Sequence, residues 1–166
     1  MNKAVFLDRD GLLNRKALPH DYIKCWAEFT FLPDVPEAIR RLNDAGYLVL
    51  IVTNQRGVAR GLMTMEAVED IHWRMREALA RYGARVDGIY VCPHGEKGCD
   101  CRKPGIGLFL QAEREYPIDK ASSWMIGDSE SDVMAGRRYG VRSLLTDDLP
   151  GAVAFILSQE QRRFGT

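Results

Sequence analysis

Two carboxylates stand two residues apart in Asp8-Arg9-Asp10-Gly11, directly after the apolar run Ala4-Val5-Phe6-Leu7. Acids at i and i+2 can approach one reacting centre where a chain turns out of a sheet. One carboxylate can attack phosphorus and form an aspartyl phosphate. The other can protonate a leaving oxygen and later activate water. Gly11 permits the sharp exit. In this fragment alone, two solvated acids in a loop would look the same.

Three further fragments carry compatible groups. Thr53-Asn54-Gln55 closes another apolar run and offers a hydroxyl and two amides that can donate to phosphate oxygens. A turn or helix cap is the competing reading. In Arg102-Lys103-Pro104-Gly105, Lys103 can neutralise a transferring phosphoryl group and Arg102 can grip an oxyanion with two parallel hydrogen bonds. An exposed basic turn would serve as well. Asp128 follows the apolar stretch ending Ile126-Gly127. Mg²⁺ prefers an octahedron of oxygen ligands, and Asp8 and Asp128 can supply carboxylates to it, with Asp132 supporting Lys103. Capping by Asp128 or Ser129 is the alternative there.

A different chemistry is written in Cys92-x-His94-x₄-Cys99-x-Cys101. Three thiolates and an imidazole make a closed tetrahedral Zn²⁺ site with no position left for water, which argues for a structural metal. The loop is short, polar and rich in glycine, so it lacks material for a core of its own. A metal would hold it and fix Arg102 and Lys103 just after the last ligand. Reduced buried thiols or a redox pair are the other readings, and Cys25 lies outside the pattern.

These side chains need elements to place them. Short β-branched or apolar runs at Ala4–Asp8, Tyr47–Thr53, Gly88–Cys92, Ser123–Gly127 and Val141–Leu145 read as strands. Between them, helical patterns span Pro33–Ala45, Thr64–Tyr82, Ile106–Tyr116 and Glu130–Tyr139, and a terminal helix covers Pro150–Leu157 before the end frays. Asp34 reads as the cap ahead of Pro36. Alternation of this kind predicts an α/β fold, a Rossmann-like three-layer α/β/α arrangement around a mostly parallel sheet. Ligands of such sheets bind beyond the carboxyl ends of the strands, where Asp8, Thr53 and Asp128 all fall. The intervals Gly11–Leu32 and Pro93–Gly105 are too short to house a separate cap domain. Residues 1–166 therefore read as one domain with an open site.

The 166 residues carry 23 Lys plus Arg against 23 Asp plus Glu, a net charge of +0. That gives no electrostatic footprint for nucleic acid or an anionic membrane. No apolar run approaches the ~20 residues that cross a bilayer. The opening residues lack a signal-peptide pattern, so a cytoplasmic protein is expected, with a monomer as the simplest assembly.

Taken together, the ordered set of Asp8-x-Asp10-Gly11, Thr53-Asn54, Arg102-Lys103-Pro104 and Gly127-Asp128-x₃-Asp132 resembles the haloacid dehalogenase-type phosphatase superfamily over nearly the whole chain. The resemblance implies Asp8 as nucleophile, Asp10 as acid and base, and Thr53 and Lys103 as phosphoryl stabilisers. It also implies Mg²⁺ held by Asp8, by Asp10 through its carbonyl, and by Asp128. The segments Phe6–Asn14, Val52–Gly61 and Cys92–Gly105 are similar to the zinc-containing branch that holds heptose-bisphosphate and histidinol phosphatases. The partner implied is a small phosphorylated metabolite, a sugar bisphosphate ahead of histidinol phosphate. A nucleic-acid 3′-phosphatase and a silent zinc-stabilised binding module are the more distant readings. Two features depart from the branch: Leu12 follows the Asp-Arg-Asp-Gly turn where Thr is common, and the zinc loop is short. Asn14, Asn54, Gln55 and Arg102 are the substrate-binding candidates, with Arg102 ahead of Arg56 for a second phosphate.

Overall fold

The computed structural model describes residues 1–96 and 98–165. Five strands, β1 (Ala4–Leu7), β2 (Leu48–Asn54), β3 (Gly88–Cys92), β4 (Trp124–Gly127) and β5 (Arg142–Leu145), form one sheet in the order β3-β2-β1-β4-β5. Every pairing is parallel. Five helices connect and cover it: α1 (Val35–Asp44), α2 (Met65–Ala80), α3 (Gly107–Glu115), α4 (Glu130–Tyr139) and α5 (Leu149–Phe164).

Alternation along each strand builds the layers. Val5 and Leu7 of β1, with Val49 and Ile51 of β2, pack against Ile39, Leu42, Ile71, Met75, Val153 and Ile156 from α1, α2 and α5. Ala4 and Phe6, with Leu50 and Val52, face Leu108, Phe109, Ala135 and Tyr139 from α3 and α4. Burial on both faces explains why β1 and β2 read as continuous apolar runs. The long interval after Asp10 builds no core of its own. Its Leu12, Leu13, Ile23 and Phe29 join the α1–α2–α5 side of the main core. Leu12 is thus a packing residue, fully buried.

The chain moves outward from β1 through β2 to β3, then returns to the other side of β1 for β4 and β5. The crossover point therefore opens a crevice between the carboxyl ends of β1 and β4. Asp8 leaves β1 there, its N–H on the Ile126 carbonyl at 3.1 Å, and Asp128 leaves β4.

Two local readings change. The last helix continues seven residues past Leu157, to Phe164. Good helix formers fill that turn, and Glu160 is tied to Lys3 across the fold. Asp34 does sit at the N-cap of α1, but in a left-handed conformation at φ 60° with no side-chain cap bond. Thr64, by contrast, caps α2 by accepting from the Ala67 N–H. Among the described residues, no helix is long and apolar enough to cross a membrane.

Candidate active site

Lys103 is the hub of the crevice. Its ammonium donates to Asp8 Oδ1 at 2.8 Å and to Asp132 Oδ1 at 2.6 Å, and the residue is 3% exposed. Burial alone would push a lysine to give up its proton. Asp8 and Asp132 outweigh that and hold it above the usual range. Asp132 is itself fixed, because its Oδ2 accepts from the Ser129 N–H at 3.1 Å and the Ser129 hydroxyl at 2.9 Å. This is the capping box of α4, so the cap and the lysine partner are one residue. Gly127 makes the approach possible, since a Cβ there would meet the Asp132 Cβ at 2.3 Å.

Asp8 is pushed up to about 7 by burial, opposed by Lys103 and reinforced by Asp132 and Asp10. Carboxylate oxygens of Asp8, Asp128 and Asp132 all lie within 4.8 Å of one another. Three acids this close, two of them sharing Lys103, have the hard-oxygen character that suits Mg²⁺. The donor set therefore fits the ion. Asp128 carries a second cation, with Lys16 Nζ at 2.6 Å from its Oδ2.

Asp10 is bound on both oxygens. Oδ1 accepts from Arg9 Nη2 at 2.8 Å, Arg9 Nε at 3.1 Å and Asn14 Nδ2 at 2.9 Å. Oδ2 accepts from Gln55 Nε2 at 3.0 Å. Burial works to raise this carboxyl, but Arg9 and these hydrogen bonds prevail and leave it below the ordinary range. Gln55 also donates to Thr53 Oγ1 at 2.9 Å, which leaves the Thr53 O–H itself to donate.

The amides expected to read substrate are engaged within the protein. Asn14 is fully buried, and its Nδ2 is spent on Asp10 and the Arg15 carbonyl. Gln55 is 2% exposed and braces Asp10 and Thr53. Asn54 accepts from the Lys103 N–H at 3.0 Å and donates to the Lys103 carbonyl at 3.2 Å. Asn14 and Gln55 brace Asp10 and Thr53, and Asn54 holds the Lys103 backbone, while Asn14 Oδ1 has no partner among the described residues. Arg102 is partly buried, with Nη1 enclosed and unpartnered among the described residues. Arg56 is engaged by Glu96 at 2.9 Å.

Two residues at the site escaped the sequence reading. Arg9 is fully buried, donating to His72 Nε2 at 3.1 Å and lying over the Phe29 ring. Burial and the adjacent guanidinium lower His72 to about 3, so it stays neutral and accepts. An arginine between two aspartates reads as a solvated charge, and only the packing of α2 and Phe29 reveals otherwise. Lys16 gave no signal beyond its distance of a few residues from Gly11.

Cys92, His94, Cys99 and Cys101 converge at the carboxyl end of β3. Cys92 Sγ lies 2.7 Å from Cys101 Sγ and 3.6 Å from Cys99 Sγ, and His94 Nδ1 is 3.2 Å from Cys101 Sγ. The four atoms surround one point with soft donors, which fits Zn²⁺. Within this loop, Lys97 lies outside the described residues. The Gln55 N–H on the Cys92 carbonyl, at 2.8 Å, ties the cluster to the Asp10 brace.

The chain is similar to known phosphatases. Residues 100–148 match a family model described as HAD-hydrolase-like. The chain is 42% identical to the D-glycero-β-D-manno-heptose-1,7-bisphosphate 7-phosphatase of Haemophilus ducreyi, over 85% of this chain and 80% of that one. It is also 42% identical to the Pseudomonas aeruginosa protein of the same name, over 85% and 79%. The D,D-heptose 1,7-bisphosphate phosphatase of B. bronchiseptica, solved with magnesium and phosphate, superposes with a TM-score of 0.82 at 34% identity, over 95% of this chain and 99% of that one.

Proposed function

The chain belongs to the HAD-like phosphatases, and from that premise we propose that it hydrolyses a sugar phosphate through an aspartyl-phosphate intermediate on Asp8. The observation that carries this reading is Lys103, buried between Asp8 and Asp132. Such a cation has little structural reason to be desolvated, and it is placed to neutralise charge on a phosphoryl group joined to Asp8.

Each residue then has a task. Asp8 attacks phosphorus with the oxygen not held by Lys103. Thr53 and Lys103 donate to the phosphoryl oxygens. Asp10, which takes up a proton when the charge of the bound phosphate opposes its ionisation, passes it to the leaving oxygen through Oδ2, because Oδ1 is committed to Arg9 and Asn14. The same carboxylate then takes a proton from the water that cleaves the aspartyl ester. Asp8, the Asp10 carbonyl and Asp128 would hold Mg²⁺, which supplies Lewis-acid neutralisation of the phosphoryl charge when bound. All of these groups belong to one domain, residues 1–166.

The zinc site is structural in this reading. It holds the turn that presents Arg102 and Lys103. Protein purified without chelator should contain one Zn²⁺ per chain by elemental analysis. Cys99→Ser should lose it and melt lower, by about 6–12 °C if the metal contributes ~3 kcal/mol net. Zinc-free wild-type protein with an unaltered melting temperature would rule out a structural zinc site.

The substrate follows from the relatives: D-glycero-D-manno-heptose 1,7-bisphosphate, losing its 7-phosphate. A bisphosphate needs a second cationic partner, and the enclosed Arg102 Nη1 is the leading one. Arg102→Ala should lower kcat/KM for the bisphosphate about 10- to 100-fold and for an aryl phosphate several-fold less, because the latter has no remote anion. One observation favours histidinol phosphate instead. A cavity of about 570 Å³ beside Asp128 is lined by Asp34, Asp147 and Asp148 as well as Arg15 and Lys16, and that acid excess suits an amine. A panel of both heptose anomers and histidinol phosphate decides. A tenfold advantage for histidinol phosphate, ~1.4 kcal/mol in the transition state, would reverse the substrate and leave the chemistry.

A further inference from the structure

The three clustered acids are not equivalently paired. Lys103 spans Asp8 and Asp132 and is locked there, 3% exposed. Asp128 receives nothing from it. Among the described residues its ion-pair partner is Lys16, at 2.6 Å, and the Lys16 side chain is 57% exposed while that of Asp128 is 12% exposed. A nearly buried carboxylate is thus neutralised by a lysine that enters from solvent.

The pair is built into the turn. Gly11 adopts φ +89°, and a Cβ on it would meet Asp128 Oδ2 at 2.3 Å and Lys16 Cε at 2.5 Å. The absence of a side chain at Gly11 is what lets the lysine stem lie across the turn and reach the acid. Two other cations near the crevice are not free in this way. Arg9 is fully buried on Asp10, and Arg56 is held by Glu96.

From this geometry we infer that Lys16 neutralises Asp128 while no divalent cation is bound, and is handed over to an oxygen of the substrate phosphate when the cation takes Asp128. The inference rests on the phosphatase reading above and deepens it. Two cations on one carboxylate repel, so binding of a dication weakens the Lys16 contact. The lysine stem is flexible and its head is already partly solvated, so release costs little. Asp8 and Asp128 oxygens lie within 4.8 Å of each other, so a phosphoryl group at Asp8 is close enough for the released ammonium. It brings charge to the open side of the crevice, where Lys103, locked on the other, cannot reach.

Lys16→Gln separates this from a merely structural pair because the two halves of the exchange have opposite signs. Calorimetric titration with Mg²⁺ alone should show tighter binding than in wild type, by about two- to tenfold, the scale of one partly exposed ion pair. Titration with orthophosphate at saturating Mg²⁺ should show weaker binding by a similar factor, and Lys16→Arg should recover most of it. Unchanged or weaker Mg²⁺ binding in Lys16→Gln overturns the assignment, as does unchanged orthophosphate binding. If wild-type protein itself binds no Mg²⁺, the phosphatase reading fails and the exchange at Lys16 falls with it, whereas Mg²⁺ binding that Lys16→Gln leaves unchanged overturns the exchange alone.

Discussion

Asp8→Asn should reduce turnover by at least about 10⁴-fold, equivalent to ~5.5 kcal/mol in the barrier, while leaving the protein folded. The amide is a very poor nucleophile toward phosphorus and cannot form the aspartyl ester. It also removes one of the two carboxylates offered to Mg²⁺. The structural cost is small, because the amide oxygen can still accept from Lys103, whose second partner Asp132 is untouched. Stability should even move the other way. Asp8 is raised from 3.8 to about 7 in the folded chain, by burial before all else. Its contribution to stability is therefore present at acid pH and lost as pH rises toward and through 7. A neutral asparagine carries no such penalty. In metal-free buffer at pH 7.5 the variant should melt no lower than wild type. Turnover near wild-type level in a folded Asp8→Asn protein would falsify the nucleophile assignment.

The split between what the sequence tells and what it withholds follows from the reach of each interaction. Asp8, Thr53 and Asp128 were placeable because strand ends in a parallel sheet converge by topology alone, and five apolar runs locate those ends. Lys103 needed one more step, a turn held close to β2, which Asn54 supplies through both its amide atoms. Asn14 and Gln55 stand beside Asp10, and the direction of their amides is not readable from sequence. An amide beside a carboxylate can face a ligand or the carboxylate, and burial decides which. Arg9 was the least legible. Its environment comes from Phe29, 20 residues on, and from His72 in α2. Neither is periodic with it, so no local pattern marks an arginine that the fold encloses. The end of α5 combines local helix propensity with a distant contact, Glu160 meeting Lys3 from the opposite end of the chain.

That buried network makes Asp10→Asn a sharper experiment than it first looks. Oδ1 must remain an acceptor for Arg9 and Asn14, so the new NH₂ group has to occupy the Oδ2 position. There it would face Gln55 Nε2, donor against donor. Gln55 can turn its amide over and accept, giving up its bond to Thr53 Oγ1. The Thr53 hydroxyl then gains freedom it did not have. The cost is one exchanged hydrogen bond, about 1 kcal/mol, so the variant should fold and melt a few degrees lower. Its chemistry should suffer more. Asparagine can neither protonate a leaving sugar oxygen nor activate water, and general acid–base help is worth ~10²–10⁴-fold. An aryl phosphate has a leaving group that needs little protonation, so its first step should survive far better. Hydrolysis of the aspartyl phosphate still needs the base, and the intermediate should accumulate. A burst of aryl alcohol, near one equivalent per chain and followed by slow turnover, is the expected trace for Asp10→Asn. For the sugar phosphate no burst should appear. If both substrates lose rate equally and neither gives a burst, Asp10 serves only to hold Arg9, Asn14 and Gln55 in place, and the acid must be sought elsewhere in the crevice.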